Sequence, residues 1–157
     1  MDDMALAVVV HLLAVVVWIG GVSFVTTILM PTIGRTNAPR DRLAAFLKFE
    51  RPFAWQARVS VAATGLSGLY MLWRANLWGR FILARFWWMH AMVCLWLIFA
   101  AMLFLIEPLV LHHRLEVAAT TEQAAPTFAR MERLHRVLLA LALITVVSAA
   151  GGAHGLF

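Results

Sequence analysis

The sequence predicts an all-α integral membrane protein whose helices form an up-down four-helix bundle. The chain of 157 residues is 63% hydrophobic and only 13% charged, and it contains four apolar stretches long enough to cross about 30 Å of hydrocarbon. Only helices and closed barrels satisfy their backbone hydrogen bonds in lipid, and continuous apolar runs of this length are helical. The stretches are residues 5–29, 53–73, 86–106 and 134–152, and they form one domain over residues 1–157.

The distribution of Lys and Arg predicts the orientation of these helices, because basic residues accumulate in cytoplasmic loops. The segment between the first two stretches and the segment before the fourth hold most of them, whereas the loop between the second and third holds only Arg74, Arg80 and Arg85. Both termini are therefore predicted to face outward, in a multi-pass protein of a bacterial-type inner membrane. Because topology explains the basic residues, we expect no nucleic acid as a partner.

Other segments of the chain carry more local signals. Residues 39–53 combine apolar and basic side chains with helical spacing, which predicts a short cytoplasmic amphipathic helix between spans 1 and 2. Pro126 can open a helix as its first residue, and residues 127–133 are then predicted to run straight into the fourth span. Glu107 and Pro108 are predicted to end the third helix, and Arg58 to extend toward the cytoplasmic interface.

His11 and His90 are the strongest candidates for a functional site. Each is an ionisable side chain near the beginning of an apolar stretch, where such a residue must find a partner inside the protein. In an up-down bundle the first and third helices run parallel and lie diagonally opposite each other. The two imidazoles are therefore predicted to lie at similar depth near the outer face and to bind the iron of a haem b from its two sides.

Small residues and arginines near these histidines fit the same site. Glycines on the first two helices would leave room for a flat macrocycle, and they also favour close helix packing; both interpretations stay open. A haem propionate needs a cation, and arginines of the outer loop can bind a carboxylate through two hydrogen bonds. In addition to the histidines, the residues assigned to cofactor binding are Trp18, Gly20, Gly21, Gly65, Gly68 and Arg85.

Other histidines leave further ligand sets open. His154 ends the fourth helix at the outer face, inside a Gly-rich sequence, and it is a candidate for an alternative axial ligand or for proton exchange with the outside. A second haem at the cytoplasmic ends of the helices would need His135 together with His112 or His113. The number of haems is therefore left open.

Methionine and cysteine side chains near His90 make copper an alternative metal. Met89, Met92 and Cys94 surround this histidine in the sequence, and thioether, thiolate and imidazole ligands suit Cu(I). Helical spacing does not bring all four side chains to one face, and methionine commonly fills protein cores. Haem b therefore remains the first choice of cofactor and copper the second.

The first helix also contains a recognisable motif. His11 is followed seven residues later by Trp18, Ile19, Gly20 and Gly21. This pattern resembles the first-helix signature of the CopD-like and HemJ-like membrane families, and the Gly-rich second helix and aromatic start of the third are similar in outline. Resemblance to the HemJ-like branch implies a haem b site and oxidation of protoporphyrinogen IX. Resemblance to the CopD-like branch implies copper handling across the inner membrane.

The leading hypothesis is a b-type haem-binding protein that transfers electrons to or from a small membrane or periplasmic partner. A quinone is a suitable partner because it partitions into lipid, although no residue pattern specifies it, and a porphyrin or another small redox substrate is an alternative. The alternatives are a protoporphyrinogen IX oxidase-like enzyme and a copper transfer or transport protein. Whether the protein is a haem-dependent oxidoreductase enzyme, and whether it forms a homo-oligomer, is left open.

Overall fold

The computed structural model describes residues 3–156, and within this range the side chains of residue 51 and residues 110–112 are not described. The described chain is helical apart from short connections and contains no strand, which confirms the all-α prediction. The first apolar stretch forms α1 (Asp3–Phe24), which continues through a π-helical turn, Val25–Leu29, into α2 (Met30–Thr36).

Three continuous helical segments are long and apolar enough to cross a membrane. They are Asp3–Thr36, Ala84–Leu109 and Ala124–Ala153, and they contain the first, third and fourth predicted spans. Many of their large apolar side chains are exposed, such as Val16 at 66% and Val147 at 71%. Helices that are apolar on all sides are typical of membrane spans, so these segments agree with a membrane location.

The second apolar stretch lies within α3 (Arg42–Arg74), a single helix of 33 residues that continues through Pro52. This helix is less apolar than the other three, because it carries several charged residues, and its buried face carries the hydroxyl side chains of Ser60, Thr64 and Ser67. Each hydroxyl donates to a backbone carbonyl of its own helix, three or four residues earlier. The polar groups are thus satisfied within α3, and the helix packs more extensively against α1 than against any other element.

Two 3₁₀ turns, Leu77–Ile82 and Ala84–Phe86, connect α3 to α4 (Trp87–Ala101). Asn76 begins this connection with a φ of 50°, a left-handed conformation that asparagine adopts more readily than most side chains. Neither 3₁₀ turn contains a buried residue, so the bulky side chains of this connection lie at the surface.

The helix that begins with α4 does not end at Pro108. It widens into a π-helix, Met102–Leu111, and continues as α5 (His112–Ala119). The predicted helix end is therefore wrong. Proline lacks an N–H and collides with the carbonyl four residues earlier in an α-helix, and the wider π-helical turns accommodate it.

The last helix, α6 (Ala124–Ala153), begins two residues before Pro126, so this proline lies in the first turn but does not open the helix as predicted. The helix runs without a break into the predicted fourth span. It packs against α4, α3 and α1. Its contacts complete an apolar core, which we call the Trp18 cluster. The buried members of this cluster are Trp18, Val22, Val61, Leu95, Phe99, Leu138, Leu139 and Ala142.

The amphipathic helix predicted for residues 39–53 is not a separate element. After a 3₁₀ turn, Pro39–Asp41, these residues form the beginning of α3. Leu43 and Phe46 are only 0% and 2% exposed, so their side chains pack inside the protein instead of facing a membrane surface. Neighbouring helices supply apolar partners, and we call this second core the Phe46 cluster. Its buried members are Val25, Met30, Ile33, Leu43, Phe46, Leu115, Ala124 and Phe128.

Candidate functional site around His11

The side chain of His11, a residue of α1, lies half-buried between α1 and α3 and forms hydrogen bonds with α3. Its Nδ1 is 3.0 Å from the Thr64 carbonyl oxygen and 3.1 Å from Ser67 Oγ. A carbonyl oxygen only accepts hydrogen bonds, so these partners assign the proton to Nδ1, which donates to both oxygens. Nε2 is then the ring nitrogen that carries the lone pair, and it makes no hydrogen bond within the described structure.

Gly68 allows this contact between the helices. A Cβ atom at this position would lie 3.2 Å from His11 Cε1, closer than most side-chain contacts. In an α-helix the Thr64 carbonyl already accepts the N–H of Gly68, four residues later. Without a Cβ on Gly68 the carbonyl stays accessible, and the imidazole can reach it. Gly68, which the sequence assigned to cofactor binding, thus contacts His11 directly.

Trp18 lies two turns from His11 on the same face of α1, since seven residues correspond to about two turns. The side chain is 4% exposed, and its ring meets Phe99 edge-on, with 4.9 Å between centroids. Its indole Nε1 is the only buried side-chain nitrogen or oxygen without a hydrogen-bond partner in the described part of the chain. Such orphaned donors are rare in proteins and call for an explanation.

His90 occupies a different environment from His11. It lies on the exposed side of α4, and its ring meets the Phe81 ring edge-on at 5.2 Å between centroids. The buried positions of α4 at this level are Trp88 and Met89. His90 is exposed on α4, and no described hydrogen bond or ring contact joins it to His11.

The remaining predicted glycines serve mainly to let helices approach. Gly65 lies directly under the indole of Trp96, whose Nε1 donates to the Val61 carbonyl at 2.8 Å. A Cβ on Gly21 would come within 2.9 Å of the Phe53 ring, whereas Gly20 has nothing within 4 Å of that position. At Gly65 and Gly21 the structure therefore supports the packing interpretation that the sequence left open.

The arginines of the predicted outer loop are held by other groups. Arg74 Nε lies 3.1 Å from Asp3 Oδ2, which also accepts a hydrogen bond of 2.8 Å from Tyr70. Arg80 and Arg85 both contact the ring of Phe86, at 5.0 and 4.8 Å from its centroid.

The other histidines bond to their own helices. His154 is exposed, and its Nδ1 lies 2.8 Å from the Ala150 carbonyl. His135 Nδ1 lies 2.9 Å from the Met131 carbonyl. His113 is exposed, and the side chain of His112 lies outside the description. No described contact joins His113, His135 or His154 to His11.

The soft side chains considered for copper lie in different environments. Met89 is buried at 5% exposure, whereas Cys94 is exposed. Within the described residues, no group of three or more His, Cys, Asp or Glu side chains has the arrangement of a metal site.

An ion pair that the sequence interpretation missed joins α3 to the π-helix after α4. Arg58 pairs with Glu107, and their side chains are 27% and 13% exposed. Arg58 Nε also donates to the Leu103 carbonyl at 2.9 Å. In a π-helix the Leu103 carbonyl would accept from residue 108, but Pro108 has no N–H. Arg58 therefore supplies the missing donor instead of extending to the interface as predicted.

No protein family model, curated protein or solved structure matches this chain.

Proposed function

We propose that the protein is a b-type haem-binding membrane protein and that His11 Nε2 is an axial ligand of the iron. The single observation behind this proposal is the pair of hydrogen bonds that holds His11 Nδ1 against α3. Metal-ligating histidines almost always donate their other ring N–H to a carbonyl or carboxylate, which fixes the ring and the tautomer. His11 has this arrangement, and its free nitrogen is the one that binds a metal.

Two further features favour haem binding over a purely structural role for His11. An imidazole in an apolar helix requires a partner, and the Thr64 carbonyl already satisfies one nitrogen, so the second remains for a ligand. The unpaired indole N–H of Trp18 lies further along the same helix face and offers a donor to a guest in the bundle. Haem, when bound, would supply one-electron chemistry whose potential depends on axial ligands and burial.

In this proposal His90 remains the candidate for the second axial position. Its exposed place on α4 means that it can bind the same iron only if its side chain, or α4 itself, turns toward α1. If it does not, the iron has a single protein ligand and an open coordination position. These two cases differ in spin state and are therefore separable by spectroscopy.

We further propose an up-down four-helix bundle with both termini outside, in a bacterial-type inner membrane, where α3 crosses the membrane as the second span, in addition to the three other helical segments. The excess of basic residues in the two other loops supports this orientation. Electrons would pass between the haem and a small redox partner, with a lipid-soluble quinone as the class that best suits this location.

The decisive experiment is an optical spectrum of the purified protein, expressed with haem supplied, beside three histidine variants. We expect a Soret band and split α/β bands on reduction, and loss of haem in His11→Ala. His90→Ala should convert a six-coordinate, low-spin haem to a high-spin one if His90 is the second ligand. His154→Ala is the matched control and should retain the wild-type spectrum. Colourless wild-type protein, or unchanged haem content in His11→Ala, would contradict the proposal.

A further inference from the structure

We propose that Arg80 and Arg85 form a binding site for the phosphate group of an anionic phospholipid. Both guanidinium groups contact one aromatic ring, with their central carbons 5.0 and 4.8 Å from the centroid of Phe86. Within the described chain neither arginine forms an ion pair with an acidic side chain. Two positive charges thus lie over one ring without a counter-charge, an arrangement that favours an anion.

The ring that carries the two arginines is itself held firmly. Phe86 meets Trp88 edge-on, with 6.2 Å between centroids and an interplanar angle of 75°. Trp88 is only 7% exposed and lies directly on the backbone of Gly152 in α6. Phe86 therefore rests on Trp88, which packs against α6, and its ring has little freedom to move. The two arginine side chains over this ring lose less conformational entropy when they bind a ligand.

Arg74, the third arginine of this loop, is not free to bind an anion. Arg74 is already matched by Asp3, with 3.1 Å between Nε and Oδ2. The guanidinium groups of Arg80 and Arg85 lie over the Phe86 ring and pair with no described carboxylate, so their N–H groups remain for phosphate oxygens. The site therefore differs from ordinary loop arginines by its support and by its uncompensated charge.

Exposed apolar side chains around the pair indicate a lipid as the source of the phosphate. Ile82 is 87% exposed, and Trp78 and Trp87 are 48% and 47% exposed. The segment immediately precedes α4, part of a helix apolar enough to cross a membrane. Tryptophan side chains prefer the interface between hydrocarbon and headgroups. Apolar side chains in the lipid and arginines at headgroup level match the two parts of a phospholipid.

The test measures how strongly phosphatidylglycerol is retained by the full chain. Protein in nanodiscs of phosphatidylcholine with a minor fraction of phosphatidylglycerol is released into detergent, and bound lipid is counted by native mass spectrometry. We expect retention of phosphatidylglycerol over phosphatidylcholine, weakened about fivefold for each arginine removed in Arg80→Gln and Arg85→Gln. The double variant Arg35→Gln/Arg114→Gln removes the same charge from exposed positions elsewhere and should retain phosphatidylglycerol like wild type.

Three further measurements test this inference. Phe86→Leu preserves both charges and should still weaken retention, because the support is lost. Equal retention by the Arg80/Arg85 double variant and by the control would overturn the inference. Release of the lipid by millimolar inorganic phosphate would show a site for free phosphate and refute the lipid assignment. Haem content is measured in parallel, and loss of haem with unchanged lipid retention would reassign the pair to the cofactor.

Discussion

At the scale of single residues, the pairing of His11 with Thr64 depends on a missing side chain. A helix carbonyl is normally shielded by the Cβ atoms of the following turn, and Gly68 removes that shield. A carbonyl oxygen has two lone pairs, so the Thr64 carbonyl can accept a hydrogen bond from His11 and keep its hydrogen bond within α3. Gly68 therefore determines whether the ring can take its observed orientation.

Gly68→Ala is the direct test of this dependence. The added Cβ would lie 3.2 Å from His11 Cε1, so the ring must shift, and we expect a loss of about 1–3 kcal/mol of unfolding free energy from the crowding. Histidine ¹⁵N shifts should show a weaker Nδ1–H bond. Gly20→Ala, where the new methyl group meets nothing within 4 Å, is the control: it should leave the histidine shifts unchanged and raise the unfolding free energy by about 0.5–1 kcal/mol, because alanine favours a helix interior over glycine. Equal effects of the two substitutions would contradict the argument.

At the scale of elements, the π-helix after α4 is explained by its contact with α3. Pro108 excludes a regular α-helix, and Arg58 provides the donor for the Leu103 carbonyl that the π-helix leaves unpaired. Glu107 in turn neutralises Arg58. Sequence alone showed an acid followed by proline, which is typical of a helix end. The contact with α3 allows the helix to continue.

A double-mutant cycle on Arg58 and Glu107 measures the strength of this link. We expect Arg58→Leu to cost about 3–5 kcal/mol, because it leaves a buried carboxylate unpaired, and Arg58→Leu/Glu107→Leu to cost less than the two single changes together. The exposed pair of Glu132 and Arg136 serves as the matched control, with an expected coupling below about 1 kcal/mol. Additive effects at Arg58 and Glu107 in denaturant titrations would show that the pair contributes no coupling.

The first turns of α3 give a second prediction for an element. Because Phe46 is 2% exposed, Phe46→Ala should destabilise the protein by about 3–5 kcal/mol. It should also increase hydrogen exchange in α5, since Leu115 belongs to the same cluster. Phe49 lies one turn away and is 50% exposed. Phe49→Ala should therefore have little effect on unfolding, whereas a larger effect there would favour a surface-bound amphipathic helix.

At the scale of the whole molecule, the open question is whether three or four helices cross the membrane. Three helices meet the requirement of length and apolar composition by themselves, and α3 has the length but carries buried hydroxyls and Arg58. Its polar groups are satisfied by its own carbonyls and by neighbouring helices, which lowers the cost of placing it in lipid. We therefore expect α3 to cross.

The positions of the two termini decide between these arrangements, because an even number of crossings returns the chain to its original side. Fusions of alkaline phosphatase, which is active only outside the cytoplasm, and of green fluorescent protein at each end give the location. We expect active phosphatase and no fluorescence at both termini. A C-terminal fusion that fluoresces while the N-terminus is outside would mean an odd number of crossings and would exclude α3 as a span.

The candidate site was predictable only in part. The spacing of seven residues placed Trp18 about two turns from His11 on the first helix, whereas the contact of His11 with Gly68 appears only in the structure. The same spacing could not reveal which face of α4 would be buried, and Trp88 and Met89 occupy the interior where His90 was expected. Ridges of apolar residues run all round α4, so periodicity gives no direction there.

The sequence by itself determined that this chain is helical and suited to lipid, because the length of an apolar run and the backbone's need for hydrogen bonds leave few other structures. Only the tertiary structure decided the partner of His11, the burial of Phe46 and the pairing of Arg58 with Glu107. These depend on which surfaces of distant helices meet. Contacts between helices involve backbone carbonyls and the absence of Cβ atoms, neither of which leaves a periodic signal in a single sequence.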